Sequence, residues 1–379
     1  MTQLRMARLF GLVTLAVSLT SCSTPFHPPV FVGPAIEFPG LAHLVKAGQP
    51  LHVIMVHGMC THRDRDAFRA MNGVDAAIER NVQIESFLRP ALAAPVPQVR
   101  VLQRNDSFSF GVVRFHALMW SDMTTPLKEQ LDYDKTGVPS ECGGPESPNQ
   151  CKPKRALYNG RFKDGLLDDC LADAIAYQGE SRNTIRSAMV VALTEVMQEA
   201  AADEGRVAII TASLGSKIAF DALMSMLDQT NPTAQKAAAQ ALAERLDAVY
   251  MEANQLPILG LADQDIGVIS SRSDTKPDTV APGSKADPLR QFLARRQTIT
   301  AGPVKIVAFT DPNDLLSYRL LGSRYASIPN VALADVLVSN DDTYLGLVEN
   351  PQSAHLHYGQ NPDVAFLIAC GRPKSNRCR

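Results

Sequence analysis

The sequence predicts an α/β fold, with a mostly parallel central sheet and helices on both faces. Short apolar runs rich in Val and Ile recur along the chain, and each is followed by a longer segment of helical character. This alternation is typical of buried parallel strands joined by crossover helices. Of the 379 residues, 45% are hydrophobic and 20% are charged, which is enough to bury a substantial core.

The strands and helices are placed from hydrophobic periodicity and from helix start and stop signals. The predicted strands cover residues 51–56, 112–120, 207–211, 248–253, 304–309 and 334–338. The predicted helices cover residues 76–92, 162–178, 184–204, 214–227, 233–246, 288–296 and 362–369. Residues 122–160 are loop-like and break the alternation. We therefore expect one domain over 41–371, an insertion over about 121–205 that covers the active face, and a polar tail over 372–379.

The first 21 residues have the pattern of an export signal. Arg5 and Arg8 precede an uncharged apolar run at 9–19. The run is too short for the roughly 20 residues of a membrane-spanning helix, which favours a cleaved leader. Residues 19–22, Leu-Thr-Ser-Cys, resemble a bacterial lipobox, in which the cysteine, here Cys22, is acylated and becomes the new amino terminus.

The lipobox resemblance implies a location and a partner. Acyl chains on Cys22 would anchor the protein to a membrane, and Ser23 implies the periplasmic face of an outer membrane. Residues 22–40 are rich in Pro and lack periodicity, so we expect them to be a tether. An ordinary signal peptide that contains a cysteine is the alternative. The formal net charge of −2 and the lack of a long basic run argue against a nucleic-acid partner.

Six further cysteines indicate disulfides, since their number is even and the chain is expected to leave the reducing cytosol. We expect one local pair across a Gly- and Pro-rich loop, one across the polar tail, and one long-range pair. These pairs are Cys142–Cys151, Cys370–Cys378 and Cys60–Cys170. Spacing alone proves none of them.

The segment 206–223 carries the clearest chemical signal, because a predicted strand ends in Ser213 and continues directly into an amphipathic helix. This pattern predicts a nucleophile elbow, in which the serine Oγ stands exposed above the sheet and the helix N-terminus favours developing negative charge. Gly215 is the small residue required after the serine. Thr211 stands where the pattern usually has glycine, so the motif is T-x-S-x-G. A structural serine that caps the helix is the alternative.

The predicted strand before residue 57 ends directly in a His-Gly-Met turn at 57–59. This turn resembles the His-Gly turn of lipases and esterases, and over about 51–371 the chain resembles that branch of the α/β-hydrolase superfamily. The resemblance implies an oxyanion hole made by the backbone N–H groups of Met59 and Leu214. It also implies a structural role for His57, and no cofactor.

In that family the catalytic acid and histidine follow the serine, each after a later strand. Asp311 and Asp314 both follow the strand at 304–309. We favour Asp314 because its Asp-x-Leu-Ser context resembles the family's acid loop, while Asp311 could instead fix the turn. His355 and His357 both precede the last helix. We favour His355 from its distance to that helix, and His357 could be a lid or substrate contact.

The expected function is that of a serine hydrolase. Ser213 would attack the carbonyl carbon of a carboxylic ester, His355 would accept its proton, and Asp314 would orient the ring. The acyl-serine intermediate would then be hydrolysed by water. A membrane-anchored enzyme with a covering insertion suggests an acyl or lipid ester as the substrate, by analogy with the family.

Two other classes remain open. One is an envelope lipoprotein that has the fold and no activity. The other is a metal-dependent hydrolase that uses the loop with His57, His62, Asp64 and Asp66. Residues 117–121 and 254–257 are also similar to segments of related bacterial proteins, but neither has an assignable role, and we expect the single Trp, at position 120, in the core.

Overall fold

The computed structural model describes residues 22–33, 36–79, 82–88, 98–137, 154–228, 233–266 and 287–379. A nine-stranded sheet forms its centre. From one edge to the other its strands are β2 (Val30–Val32), β11 (Val331–Leu337), β10 (Val304–Thr310), β9 (Leu246–Glu252), β8 (Arg206–Ala212), β4 (Leu51–Val56), β7 (Gly111–Met119), β6 (Arg100–Phe108) and β5 (Gln83–Leu88). Two short ladders join β1 (Cys22–Ser23) to β12 (Thr343–Tyr344) and β3 (Phe38–Pro39) to β13 (Gly371–Arg372).

The strands from β11 to β7 are parallel to their neighbours. The remaining strands β2, β6 and β5 pair antiparallel at the two edges. The sheet is therefore mixed and mostly parallel, as the sequence predicts. Because parallel strands end on the same side, the loops after β4, β8, β9 and β10 meet at one carboxyl edge of the sheet.

Helices cover both faces of the sheet. They are α1 (Leu41–Leu44), α2 (Asp64–Ile78), α3 (Thr125–Lys128), α4 (Tyr133–Thr136), α5 (Leu157–Phe162), α6 (Ala172–Gln178), α7 (Ser181–Ala202), α8 (Leu214–Leu227), α9 (Ala234–Arg245), α10 (Leu256–Leu259), α11 (Pro288–Arg296), α12 (Pro351–Leu356) and α13 (Pro362–Cys370). A π-helical stretch, Lys163–Leu171, connects α5 to α6.

Two apolar cores lie on opposite faces of the sheet. In β4, Ile54 and Val56 belong to the core with α7, α8, α9 and α11. Leu51 and Val53 belong to the core with α2 and α13. Successive side chains of a strand point to opposite faces, so a largely apolar run such as β4, whose one polar residue is the buried His52, is covered on both sides. None of the described helices is both long and apolar enough to cross a bilayer.

The helix predicted at 76–92 is wrong. Helix α2 ends at Ile78, and β5 occupies part of that range as an exposed edge strand. The sequence also missed β6. Its inward-facing Arg104 and Asp106 form a buried ion pair with Nη2 to Oδ2 at 2.6 Å, so β6 lacks the apolar run by which the other strands are predicted.

The tether predicted over 22–40 also needs correction, because its described residues pack on the domain. Strand β2 forms one edge of the sheet, and Phe38 is buried in the core with α2.

The insertion predicted over about 121–205 is too long, since α7 packs into the core on one sheet face. Among the described residues of the insertion, Gly165 and Asp169, which precede α7, border a cavity at the carboxyl edge. The leader at 1–21 lies outside the described residues.

Two of the three expected disulfides are present, Cys60–Cys170 and Cys370–Cys378. The first connects the turn after β4 to the π-helical stretch, and the second connects the end of α13 to the polar tail. The third expected pair, Cys142–Cys151, lies outside the described residues.

Candidate active site

Ser213 occupies the bend between β8 and α8. Its φ of 52° and ψ of −128° are rare for a residue with a side chain, and such backbone strain is common at functional sites. The bend is fixed from the neighbouring strand, because the Ser213 N–H donates to the carbonyl of Glu252 at 2.8 Å. The residue is only 3% exposed, so the expectation of an exposed hydroxyl is wrong. Instead, Ser213 lines a cavity of about 360 Å³, which is also bordered by Gly165, Asp169 and Cys170 of the segment 154–178, here called the covering segment.

Two glycines let the turn after β4 approach the serine bend closely. A Cβ atom on Gly58 would lie 2.6 Å from the Ser213 Cβ, and one on Gly215 would lie 2.2 Å from the carbonyl oxygen of His57. Real Cβ atoms do not come so close to other heavy atoms. Both positions therefore require glycine, which brings the backbone after β4 against the N-terminus of α8.

Thr211 has a structural reason to stand where the motif usually has glycine. Its side chain is fully buried, and the hydroxyl of Ser216 donates to its Oγ1 at 2.9 Å. This bond ties the end of β8 to the first turn of α8, on either side of Ser213. The T-x-S-x-G sequence is thus compatible with the same bend.

Ser213, His355 and Asp314 form one hydrogen-bonded series. The Ser213 Oγ lies 3.2 Å from Nε2 of His355, and Nδ1 of His355 lies 2.9 Å from both carboxylate oxygens of Asp314. With the proton on Nδ1, the ring donates to the carboxylate and presents Nε2 to the serine. This is the arrangement of a nucleophile, a general base and an orienting acid.

The two alternative residues lie nearby without joining the series. Asp311 accepts backbone N–H bonds from Asn313 at 2.9 Å and Asn340 at 2.7 Å, so its carboxylate fixes the turn after β10. His357 lines the cavity but forms no hydrogen bond to Ser213 or Asp314.

Tyr358 connects Asp311 and Asp314, the two aspartates of the loop after β10, here called the acid loop. Its hydroxyl accepts the backbone N–H of Asp311 at 2.7 Å and donates to Asp314 at 3.2 Å. Burial, reinforced by the nearby Asp314 carboxylate, raises the pKa of Tyr358 well above its usual value, so the phenol keeps the proton it donates.

Met59 lies in the turn that approaches Ser213 closely, and Leu214 follows Ser213 in the chain. Met59 is buried and lines the cavity, and Leu214 is the first residue of α8. Within the described part of the chain, neither N–H donates to a protein acceptor. Free N–H groups beside a nucleophile can bind a developing oxyanion.

His57 holds the turn that carries Met59. Its Nδ1 lies 2.8 Å from the Gly58 carbonyl, and its Nε2 accepts the backbone N–H of Trp120 at 2.9 Å. The rings of His57 and Trp120 stack at 5.1 Å, and the indole N–H donates to the His57 carbonyl. Burial and the neighbouring His62 lower the pKa of His57 well below 6.5, so the ring is a neutral structural group.

The covering segment is bonded to the same turn. Besides its disulfide to Cys170, Cys60 donates its N–H to Asp173 at 2.8 Å. Lys128 lies between the half-buried Asp169, at 2.8 Å, and the buried Asp173, at 3.2 Å, and neutralises their charge. The covalent and ionic contacts together fix the backbone that follows Met59.

Sequence reasoning assigned no role in the site to three residues that support it, Trp120, Asp173 and Asn254. Trp120 was expected in the core and is fully buried, but it also holds His57. Asn254 binds the acid loop, since its Nδ2 donates to the Tyr318 carbonyl at 3.0 Å and its own carbonyl accepts the Tyr318 N–H. Trp120 directly follows β7 and Asn254 lies two residues after β9, so each lies where a strand ends at the carboxyl edge, and this was the available signal.

The proposed metal loop does not gather its ligands. The nitrogen atoms of His57 are engaged with Gly58 and Trp120, Nε2 of His62 contacts the Met59 carbonyl, and Asp64 pairs with Arg100.

Another group, at the amino end of β4, could hold a metal ion, because ligand atoms of His52, His116 and Glu199 lie within 4.8 Å of one another. A fixed cation, Arg114, already contacts Glu199 at 3.5 Å and Asp203 at 2.6 Å.

In comparison with known proteins, no family model and no curated protein matches the chain. Among solved structures, acetyl xylan esterase 1 from Thermoanaerobacterium sp. JW/SL YS485 is similar over 75% of this chain and 89% of that chain, with 11% identity and a TM-score of 0.26. Similarity at that level identifies neither a family nor an activity.

Proposed function

We propose that this protein is a serine hydrolase of the α/β-hydrolase type that cleaves carboxylic esters. The single observation that carries the proposal is the series Ser213–His355–Asp314, with contacts of 3.2 and 2.9 Å, in which Ser213 and His355 line a cavity. The strained serine bend and the free N–H groups beside it support the same conclusion.

The proposed reaction has two steps. In the first, His355 accepts the proton of Ser213 as Oγ attacks the ester carbonyl, and then delivers it to the leaving alcohol. Asp314 stabilises the imidazolium. The N–H groups of Met59 and Leu214 bind the oxyanion, each contributing on the order of 3 kcal/mol. In the second step, water attacks the acyl-serine with His355 again as the base.

We also propose that the protein is anchored by acyl chains on Cys22, at the periplasmic face of an outer membrane. Support comes from the lipobox-like residues 19–22 and from an exposed Cys22. Because Cys22 pairs directly with Tyr344, the anchor would hold the folded domain close to the bilayer. Labelling with an alkyne-tagged fatty acid should modify the wild type and leave Cys22→Ser unmodified. Labelling of both proteins alike would refute the anchor.

The activity is tested with a fluorophosphonate probe and a p-nitrophenyl ester chain-length series. The probe should label the wild type and Ser187→Ala, a control on the exposed face of α7, but not Ser213→Ala. Ester hydrolysis should follow the same pattern.

Two outcomes would favour the other classes. A folded wild type that neither reacts with the probe nor cleaves any ester would support the non-catalytic lipoprotein. Activity that EDTA removes, with no labelling of Ser213, would support the metal-dependent hydrolase.

A further inference from the structure

A second chemical group, the Glu252 carboxyl, borders the cavity that contains Ser213. Glu252 is the last residue of β9, and its backbone carbonyl accepts the Ser213 N–H at 2.8 Å. The residue is 8% exposed and lines the same cavity as Ser213. Within the described ranges, its carboxyl has no hydrogen bond and no ion pair with another residue.

The strand register shows which part of the cavity Glu252 faces. Glu252 pairs with Ala212 in the neighbouring parallel strand, so both side chains point to the sheet face covered by α2. The strand residues that line the cavity on that face, Met55, Ala117 and Ile210, are apolar. These surroundings explain why burial raises the pKa of Glu252 to about 7.

A buried carboxyl without a protein partner is unusual, because a buried polar group that makes no hydrogen bond is costly. Asp311 and Asp314, which are also buried, both accept hydrogen bonds from the protein. Of these three carboxyl groups, only that of Glu252 faces the cavity, and it has no hydrogen-bond partner among the described residues. A group that enters the cavity can supply the missing donor.

We propose that Glu252 binds a hydrogen-bond donor carried by the ester substrate, either a hydroxyl or an ammonium group. The inference rests on the proposed function and specifies the substrate class of the same site. A purely hydrocarbon substituent would cover the carboxyl without pairing it. Sites built to hydrogen-bond a substrate group discriminate strongly against analogues that lack it. The substrate is therefore a polar ester, with a donor close to the reacting carbonyl.

The test uses ester sets that differ in one substituent. On the acyl side, p-nitrophenyl 3-hydroxybutyrate and 3-aminobutyrate are compared with 3-methylbutyrate. On the alcohol side, 2-hydroxyethyl butyrate is compared with propyl butyrate. We expect the wild type to favour a donor-bearing ester by about tenfold or more in kcat/KM within at least one set. A ratio within twofold in every set would overturn the inference.

Variants of Glu252 then assign the preference to this residue. Glu252→Met should bring the ratio to within about threefold of unity. Glu252→Gln should keep a preference for hydroxyl and lose one for ammonium, since the amide keeps its acceptor and loses the charge. Glu85→Gln, on the exposed edge strand β5, is the matched control and should keep the wild-type ratio. A preference that survives in Glu252→Met would also overturn the inference.

The readouts separate this inference from the proposed function. Labelling of Ser213 with no preference in any ester set would leave the hydrolase proposal intact and refute the role of Glu252. If no ester were cleaved, calorimetric titration of full-length Ser213→Ala with the paired esters would still decide the point. Tighter binding of the donor-bearing ester by about tenfold would support the inference, and equal binding would refute it.

Discussion

Two histidine–aspartate pairs of similar geometry lie at opposite ends of the sheet. At the carboxyl edge, Nδ1 of His355 lies 2.9 Å from Asp314. At the amino end of β4, Nε2 of His52 lies 3.1 Å from Asp203. Both histidine rings are buried. The difference is on the far side of each ring, where His355 faces Ser213 and His52 faces the imidazole of His116 at 2.9 Å.

This comparison shows that a buried histidine–aspartate pair does not by itself define an active site. The pair at the carboxyl edge adjoins a serine on a strained bend and a cavity of about 360 Å³. The pair at the amino end joins β4 and β7 to the residue that follows α7, and the cavity that contains Ser213 does not include it. The reaction that such a pair can support therefore depends on the group that faces the second ring nitrogen, the one not bonded to the aspartate.

The largest expected difference between the two ends is in catalysis. His355→Ala should lower kcat/KM for a p-nitrophenyl ester by more than about a thousandfold, because Ser213 loses its base. His52→Ala should stay within about threefold of wild type per folded molecule and should instead lower the free energy of unfolding. Both are measured by steady-state kinetics and denaturant titration. Similar kinetic losses in the two variants would refute the distinction.

The two aspartates of the acid loop sharpen the comparison within the carboxyl edge. Asp314→Asn should lower kcat by roughly a thousandfold, because the amide favours the wrong tautomer of His355. Asp311→Asn should cost less than about tenfold in kcat, since its carboxylate bonds backbone N–H groups of the turn. Wild-type kcat in Asp314→Asn would transfer the role of the acid to Asp311.

The parts of the molecule that sequence could predict are those set by local pattern. Helix α8 begins at Leu214 and ends at Leu227, as predicted, because the apolar strand, the bend and the amphipathic helix follow one another in the chain. The same holds for β4 and for α11. The sheet class was predictable for the same reason, since its parallel strands are apolar runs.

The rest depends on contacts between segments far apart in sequence. Strand β6 was missed because Arg104 is neutralised by the distant Asp75 as well as by Asp106. The environment of Glu252 could not be predicted either, since it exists only because β9 lies next to β8. Asp314 and His355 were predicted through the resemblance to a family. Their contact itself could not be predicted, because the two residues are 41 positions apart in the chain.

The two disulfides extend the comparison, because each lies at one end of the sheet. Cys60–Cys170, with a sequence separation of 110, ties the turn beside Ser213, whereas Cys370–Cys378, with a separation of 8, lies near the end of α2. Replacing both cysteines of the first pair by Ala should lower the free energy of unfolding by about 4 kcal/mol, and the second by about 2 kcal/mol. Only the first should also lower kcat/KM. Denaturant titration and kinetics on both double variants measure these effects, and a larger kinetic loss from the second pair would contradict them.

The two ends should also respond to pH in opposite directions. Burial lowers the pKa of His52 despite the nearby Asp203, so this histidine destabilises the fold as pH falls below 6.5. Burial raises the pKa of Glu252 from 4.5 to about 7, so the folded state holds a proton that the unfolded chain has released. The Glu252 contribution to stability therefore falls as pH rises from about 4.5 through 7, by up to about 3 kcal/mol, and stays constant above.

Glu252→Gln isolates that last effect, because the amide does not titrate. Denaturant titrations at pH 5 and pH 8 should show that the variant gains stability relative to the wild type at the higher pH, with His52 unchanged in both proteins. Glu85→Gln, at an exposed position, should follow the wild type at both values. If Glu252→Gln and the wild type had the same pH dependence, the carboxyl would be ionised in water-like surroundings, and the apolar wall described by Met55, Ala117 and Ile210 would not enclose it.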